Sequence, residues 1–535
     1  MKRRKLLKHL GAAIPAVALS PYARAADALT HTGTGTIAVG PFAPTWDSLE
    51  KYQTPDWFRN AKFGIWAHWG PQCEPEHGDW YARGMYEEGS DLYRYHVQKY
   101  GHPSRFGFKD VIHQWKGERW DPDALLALYK KAGAKYFMAL ANHHDNLDLY
   151  NSRYQPEWNS TKVGPGKDLI GGWSRAARAN GMRFGVSVHA ARTWTWFEDA
   201  QGADKSGPYA GIAYDGKLTR ADGKGTWWEG MDPQALYAQN HVRGVAIPDQ
   251  AYCEKFFNRT RDLIDNYDPD IVYYDDAVLP LFPFSDAGLR LTAHMYNRSI
   301  AKKGRNEAVV NGKILNEQQR RSMVWDIERG QSHQIEPLPW QTCTCIGNWH
   351  YDRPLYERKG YKSAQTVVHT LIDVVSKNGN LLLSVPVRGN GTIDEQERAI
   401  VEEIGRWMAV NGEAIYDTRP WAMYGEGPVA QEATTSNAGA SFNEGKSKPF
   451  SAADVRFTAK GRTVFAFIMG WPASGKVSIE AMGSASAHLA GRIRRVELLG
   501  ANGALAFEQT AQGLQVTLPA NMPALAYASA LKILA

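Results

Sequence analysis

Three stretches of the chain run from apolar residues directly into groups that carry or move protons. They are Ile65-Trp66-Ala67-His68-Trp69-Gly70, Met138-Ala139-Leu140-Ala141-Asn142-His143-His144-Asp145 and Asp270-Ile271-Val272-Tyr273-Tyr274-Asp275-Asp276. Each reads as a buried strand that stops abruptly at imidazoles or carboxylates, with aromatic rings alongside. In a parallel barrel the carboxyl ends of the strands form the active-site face, so polar groups placed there converge on one mouth. Singly, each stretch has a bland explanation: a satisfied core histidine, a helix cap, a solvated turn. Their recurrence after separate strands is what points to a shared site. Carboxylates among imidazoles and rings suit glycoside hydrolysis, in which one carboxylate attacks the anomeric carbon and a second acid protonates the leaving oxygen and later activates water. Aromatic rings then stack on the apolar faces of sugars, and histidines read their hydroxyls.

Competing chemistries find little support. The chain has no H-E-x-x-H, no G-x-S-x-G and no phosphate-binding loop ending in G-K-[ST]. A metal hydrolase on His143, His144 and Asp145 would need consecutive side chains to aim at one ion. Cys343-Thr344-Cys345 with His350 nearby lacks the wider, paired spacing of a structural zinc site. The expectation is therefore no metal and no cofactor.

The elements that must hold these residues alternate. Residues Lys62 to Ala67 read as a strand, Pro122 to Ala132 as a helix, Tyr136 to Ala141 as a strand and Leu169 to Asn180 as a helix. The strand Arg183 to Val188, the helix Gln250 to Asn266, the strand Ile271 to Tyr274 and the helix Ala287 to Lys302 continue the pattern. Such alternation predicts a parallel sheet with crossover helices, and its extent over residues 45–410 favours a closed (β/α)8-like barrel. No G-x-G-x-x-G opens the first helix, which argues against a dinucleotide fold. Residues 197–248, rich in Gly and Trp, interrupt the rhythm as a long insertion of the kind that shapes a barrel's mouth. From 411 to 535 short strands follow one another without helices: Asp454 to Thr458, Thr463 to Ile468, Lys476 to Glu480, Arg492 to Leu498, Leu514 to Leu518 and Ala524 to Ile533. That spacing predicts a C-terminal β-sandwich.

The N-terminus reads as an address. A basic start is followed by an apolar run from Leu10 to Leu19 and by Ala23-Arg24-Ala25, a small-x-small cleavage pattern. Residues 1–25 are thus expected to be an export signal peptide cleaved after Ala25, with Arg3-Arg4 resembling a twin-arginine signal, and a periplasmic or secreted location follows. The apolar run is too short to span a bilayer, so no membrane association is expected of the mature chain. Residues 26–44, rich in Thr, Gly, Ala and Pro, read as a flexible lead-in. The formal charge is +6 over 535 residues, and Lys2, Arg3, Arg4, Lys5, Lys8 and Arg24 of the leader account for all of it. A mature chain near neutrality gives no electrostatic case for nucleic acid. Four cysteines are too few for a disulfide scaffold, although one or two bridges stay open.

Longer motifs resemble one family, the α-L-fucosidases of glycoside hydrolase family 29. They run through Trp57-Phe58-Arg59-Asn60-Ala61-Lys62-Phe63-Gly64-Ile65, His68-Trp69-Gly70-Pro71, Trp80-Tyr81, His143-His144-Asp145, Lys167-Asp168-Leu169, Trp340-Gln341-Thr342, Asp373 to Leu383, Asn411-Gly412-Glu413-Ala414-Ile415-Tyr416 and Val455-Arg456-Phe457-Thr458. The resemblance implies a retaining exo-glycosidase that removes terminal α-L-fucose from an oligosaccharide or glycoconjugate by double displacement. It is compatible with a homo-oligomer. Residue by residue, it implies Asp275 as nucleophile and Glu328, in Trp325-Asp326-Ile327-Glu328-Arg329-Gly330, as acid/base, with Glu336 as a nearby rival. His68, His143 and His144 would bind fucose hydroxyls; Trp80, Tyr81, Tyr273 and Trp340 would complete the sugar site. A retaining reaction requires the two carboxyl groups to lie about 5 to 5.5 Å apart.

The chain also departs from the family pattern. Tyr273-Tyr274-Asp275-Asp276 stands in place of W-F-D-G, adding a second carboxylate beside the nucleophile. Asn311-Gly312-Lys313 replaces Asn-x-Arg, and Ser384-Val385-Pro386 ends the last strand differently. These changes leave two further readings open: an exo-glycosidase for a related L-sugar such as L-galactose or sulfated fucose, and a non-catalytic carbohydrate-binding barrel.

Overall fold

The computed structural model describes residues 31–238, 241–433, 442–446, 448–489, 491–521 and 523–535. The export signal expected over 1–25 lies outside the described residues. Eight strands, β1 (Phe63–Ala67), β2 (Tyr136–Asn142), β3 (Arg183–Val188), β4 (Ile271–Ala277), β5 (Val309–Lys313), β6 (Val324–Glu328), β7 (Trp340–Cys345) and β8 (Gly379–Ser384), close a parallel barrel, with β8 paired back onto β1. Every residue of β1, β2, β5, β7 and β8 is buried. Strands covered on both faces must be apolar nearly throughout, which is why they read as runs rather than as alternations. The crossover helices start where the local sequence tells them to: Asp121, Asp168 and Asp249 each accept a first-turn amide at the N-caps of Pro122–Lys131, Leu169–Ala179 and Gln250–Tyr267.

Two irregularities bear on the site. Between β4 and β5, Tyr273 pairs with Asn311 and the next pair is Ala277 with Lys313, so four steps along β4 match two along β5. Residues 274–276 therefore bulge from the ladder and re-aim their side chains. Between β2 and β3 the register slips at Ala141, where Leu140 faces Ser187 and Asn142 faces Val188.

The glycines of the lead-in serve close approach rather than freedom. Residues 31–44 are strapped along the helices Gln250–Tyr267 and Ala287–Lys303: Gly33 donates to Asp286, Ala38 to His294 and Phe42 to Asn297. A Cβ on Gly33 would fall 1.2 Å from the Arg290 guanidinium and one on Gly40 would fall 2.4 Å from Asn297. Composition alone cannot separate that use of glycine from a loose segment.

After the helix Glu395–Asn411 the chain changes to antiparallel strands: β9 (Arg419–Glu426), β10 (Val455–Lys460), β11 (Thr463–Ile468), β12 (Lys476–Ile479), β13 (Arg495–Leu498), β14 (Phe507–Gln509), β15 (Leu514–Thr517) and β16 (Ser529–Leu534). They form a five-stranded sheet in the order β13-β16-β11-β10-β9 and a three-stranded sheet β12-β15-β14. Phe457, Ile468 and Leu531 of the first sheet share one apolar core with Ile479, Leu514 and Val516 of the second. This sandwich is docked on the barrel by a buried ion cluster in which Asp373 binds Lys377 at 2.6 Å and Arg456 at 2.6 Å. All four cysteines are buried and unpaired. Among the described residues no helix is long and apolar enough to cross a membrane.

Candidate active site

Asp275 sits in the bulge of β4 and its carboxylate meets three groups. Lys313, the last residue of β5, bonds Oδ1; His189 Nδ1 lies 3.1 Å from Oδ2, within ion-pair range though poorly aligned for a hydrogen bond; His144 Nε2 lies 3.4 Å from the same oxygen. The Lys313 ammonium also donates to Glu328 Oε2 at 2.5 Å. One ammonium touching both carboxylates leaves their nearest oxygens at most about 5 Å apart, a separation compatible with a retaining pair. Burial alone would raise the Asp275 carboxyl, but the Lys313 ammonium, then His189 and His144, outweigh it and hold it well below the usual carboxylate range. Burial likewise opposes the Lys313 charge, and Asp275 and Glu328 together hold its proton well above the usual range.

Imidazoles cluster on the other side of Asp275. His68 bonds Ser384 Oγ at 3.2 Å, and His143 Nδ1 meets Gln72 Nε2 at 2.8 Å; Gln72 also donates to Asp145 at 3.1 Å. Burial, reinforced by neighbouring histidines, pushes His68 and His143 well below the ordinary imidazole range, so both are neutral and able to accept as well as donate. His189 is pushed down to about 4, chiefly by burial, and its Nε2 has no partner among the described residues. Trp66 and Tyr273 form the floor, with ring centroids 4.7 Å apart. The Tyr273 hydroxyl is turned into the barrel, where it donates to Asp326 at 3.0 Å.

Second-layer contacts fix these side chains. Asn142 accepts the His189 and Ala190 amides through its Oδ1, at 3.1 and 3.2 Å, which sets the turn that delivers His189. Asp79 accepts the Trp349 and His350 amides at 3.2 and 2.7 Å, so the loop carrying Trp80 is tied to the loop after β7. Trp80 is half exposed at this rim, with a left-handed backbone of φ 63°. Asp276 points away from Asp275 toward Arg192, 3.5 Å distant; burial and the Asp275 charge raise its carboxyl to about 6.

A family profile described as Alpha-L-fucosidase matches residues 31–413, and a second, Alpha-L-fucosidase C-terminal domain, matches residues 448–534. The chain belongs to the α-L-fucosidase family. It is a glycoside hydrolase. Among curated relatives it is similar to the tissue alpha-L-fucosidase of Rattus norvegicus, 26% identical over 499 residues that span 91% of this chain and 90% of the relative. The human tissue alpha-L-fucosidase is 26% identical over 489 residues, covering 89% of this chain and 88% of the relative. Among solved structures, the crystal structure of Thermotoga maritima alpha-fucosidase superimposes with a TM-score of 0.66 at 25% identity, covering 92% of this chain and 100% of that one. Residues 414–447 lie between the two family matches.

Of the residues expected at the sugar site, the structure gathers Asp275, Glu328, His68, His143, His144 and Tyr273 at the carboxyl end of the barrel, with Trp80 on the loop tied to the one after β7. Two expectations are corrected. Trp340 begins β7 and so lies at the amino end of the barrel, opposite the mouth, where its indole donates to the Lys377 carbonyl at 2.8 Å and packs on Ile327 and Val374. Tyr81 is fully buried and its hydroxyl is engaged with His96 Nδ1 at 2.7 Å; it supports the loop rather than facing sugar. Glu336, the rival acid, is at that same amino end, bonded by Ser332 at 2.6 Å and paired with Arg320 at 3.4 Å. Sequence reasoning missed His189 and the part played by Lys313. The first is the polar residue directly after strand β3, the same signal that singled out His68; the second stands out only as a departure from the family's Arg.

One ring nitrogen from each of His143, His144 and His189 lies within 4.8 Å of the other two, a set from which an ion could be held. Glycoside hydrolysis by two carboxylates needs none.

Proposed function

We propose that the chain hydrolyses terminal α-L-fucosides with retention, using Asp275 as nucleophile and Glu328 as acid/base. The observation that carries this reading is the bridge of Lys313 between the two carboxylates, which draws them close together while keeping Asp275 ionised. In the first step an Asp275 oxygen bonds the anomeric carbon as the glycosidic C–O bond breaks, and Glu328 gives its proton to the departing oxygen. In the second, Glu328 takes a proton from water, the water oxygen bonds the anomeric carbon, and Asp275 leaves as carboxylate. Two inversions restore the α anomer. Neutral His68 and His143, with the unpartnered Nε2 of His189, supply donors and acceptors for sugar hydroxyls. The substrate class is a fucosylated oligosaccharide or glycoconjugate, met outside the cytoplasm if the 1–25 leader acts as its sequence reads.

Release of nitrophenol from 4-nitrophenyl α-L-fucoside, with the first-formed anomer followed by NMR, tests this. Asp275→Gly is expected to lower turnover by a factor on the order of 10^4 with the fold intact. First-formed α-L-fucose supports the reading; first-formed β-L-fucose, or a variant that keeps its turnover, would sink it.

A further inference from the structure

A short stretch between β9 and β10 of the sandwich reaches back to the catalytic face. The Phe442 amide donates to the Glu328 carbonyl at 2.8 Å, and the Glu444 amide to the Arg329 carbonyl at 2.9 Å. Asn443 brackets the Gln331 backbone, accepting its amide at 2.9 Å and donating to its carbonyl at 3.0 Å. Glu444 then anchors the stretch to the end of β7, where its carboxylate accepts the Thr344 hydroxyl at 2.8 Å and binds Lys362 at 2.7 Å. Residues 442–444 thus extend the barrel's own strand end, beside Glu328, and they lie in the interval between the two family matches.

Phe442 is the odd member. It is 52% exposed, and its backbone is left-handed, φ 61°, a conformation that glycine adopts freely and an aromatic residue does not. A large ring held at strain in solvent does nothing for the packed core. Such outliers persist where the surroundings enforce them for use. Its position suggests the use. An acid that protonates the glycosidic oxygen must touch the leaving group, so the first sugar beyond fucose lies against the residues flanking that acid.

We propose that Phe442 is the platform for the leaving-group sugar: its ring stacks on the pyranose ring attached to fucose, and residues 443–444 hold it there. This rests on the reading of Glu328 as acid/base. The site makes an oligosaccharide, rather than a fucoside of a small alcohol, the substrate class it serves.

Two probes separate the platform from the chemistry, both used with the full chain. α-L-Fucosyl fluoride has a leaving group that needs neither a proton nor a platform, whereas a disaccharide of α-L-fucose on galactose needs both. Aryl fucosides are avoided because their ring would itself stack. Phe442→Ala is expected to lower kcat/KM for the disaccharide about tenfold, mainly through KM, and to leave the fluoride within about twofold. Phe442→Trp should restore the disaccharide. Unchanged disaccharide kinetics, or equal losses on both probes, would overturn the proposal. Glu328→Gln is the reference: a fall in kcat/KM for the disaccharide with kcat/KM for the fluoride kept, and its kcat lowered by the slower hydrolysis of the ester, supports the acid/base assignment, so that a null result for Phe442→Ala then indicts the platform only. A Glu328→Gln variant with normal disaccharide turnover would remove the acid assignment and this inference with it.

Discussion

Two three-charge clusters among the described residues have opposite composition. At the junction with the sandwich, one anion, Asp373, is bracketed by two cations, Lys377 and Arg456. At the mouth, one cation, Lys313, is bracketed by two carboxyl groups, those of Asp275 and Glu328. The junction side chains are 1% to 5% exposed, while Asp275 and Glu328 are 21% and 18% exposed. The first cluster is closed and every member fixes a piece of backbone to another. The second leaves its two carboxyl groups partly open to water and ligand, as the proposed chemistry requires. Ion clusters of similar geometry therefore serve different ends according to whether water and ligand can reach them.

Removing the central ion of each cluster breaks the comparison most directly. Asp373→Asn leaves two buried cations facing each other and is expected to cost about 3 to 5 kcal/mol in denaturant unfolding, with kcat/KM of the remaining folded enzyme unchanged. Lys313→Met should do the reverse, lowering kcat/KM about a hundredfold, near 3 kcal/mol of transition-state stabilisation, while unfolding shifts by no more than about 1 kcal/mol. Its pH profile gives the sign. Lys313 holds the Asp275 carboxyl down, so without it protonation persists to higher pH and the acid limb of kcat/KM moves upward. Lys313→Arg, which keeps the charge, should leave that limb in place. An acid limb that stays put in Lys313→Met would show that the ammonium does not govern the nucleophile.

The smallest effects sharpen the contrast between the two ends of the barrel. Trp340→Phe and Tyr81→Phe each delete one buried hydrogen bond, to the Lys377 carbonyl and to His96. Both should cost about 1 kcal/mol in stability and leave KM for an α-L-fucoside within about twofold. A tenfold rise in KM for either would return that residue to the sugar site.

Much of this was legible before any coordinates. The strands Arg183–Val188 and Thr463–Ile468 occur at their expected bounds, because period and turn residues mark both ends. The helices Pro122–Lys131 and Ala287–Lys303 differ from expectation by a single terminal residue. The barrel and the sandwich follow from the change of texture near residue 411. Other features depend on register and on distant partners. The bulge at 274–276 arises from pairing with β5, which no local pattern announces. Lys313 acquires its part from carboxylates 38 and 15 residues away. Trp340 shows the limit of motif similarity: it locates a strand correctly but not which end of the barrel the residue occupies. Strand β9, half-exposed along most of its length, lacks the alternation that would have revealed it.

The central claim is that Asp275, not its neighbour Asp276, carries fucose during turnover. Incubation with 2-deoxy-2-fluoro-α-L-fucosyl fluoride, whose fluorine at C2 slows release of the glycosyl ester, followed by peptide mass mapping, tests it without relying on loss of function. The account predicts one fluorofucosyl ester, on Asp275. An ester on Asp276 or Glu328, or turnover of the wild-type enzyme that never accumulates a labelled peptide, would contradict it.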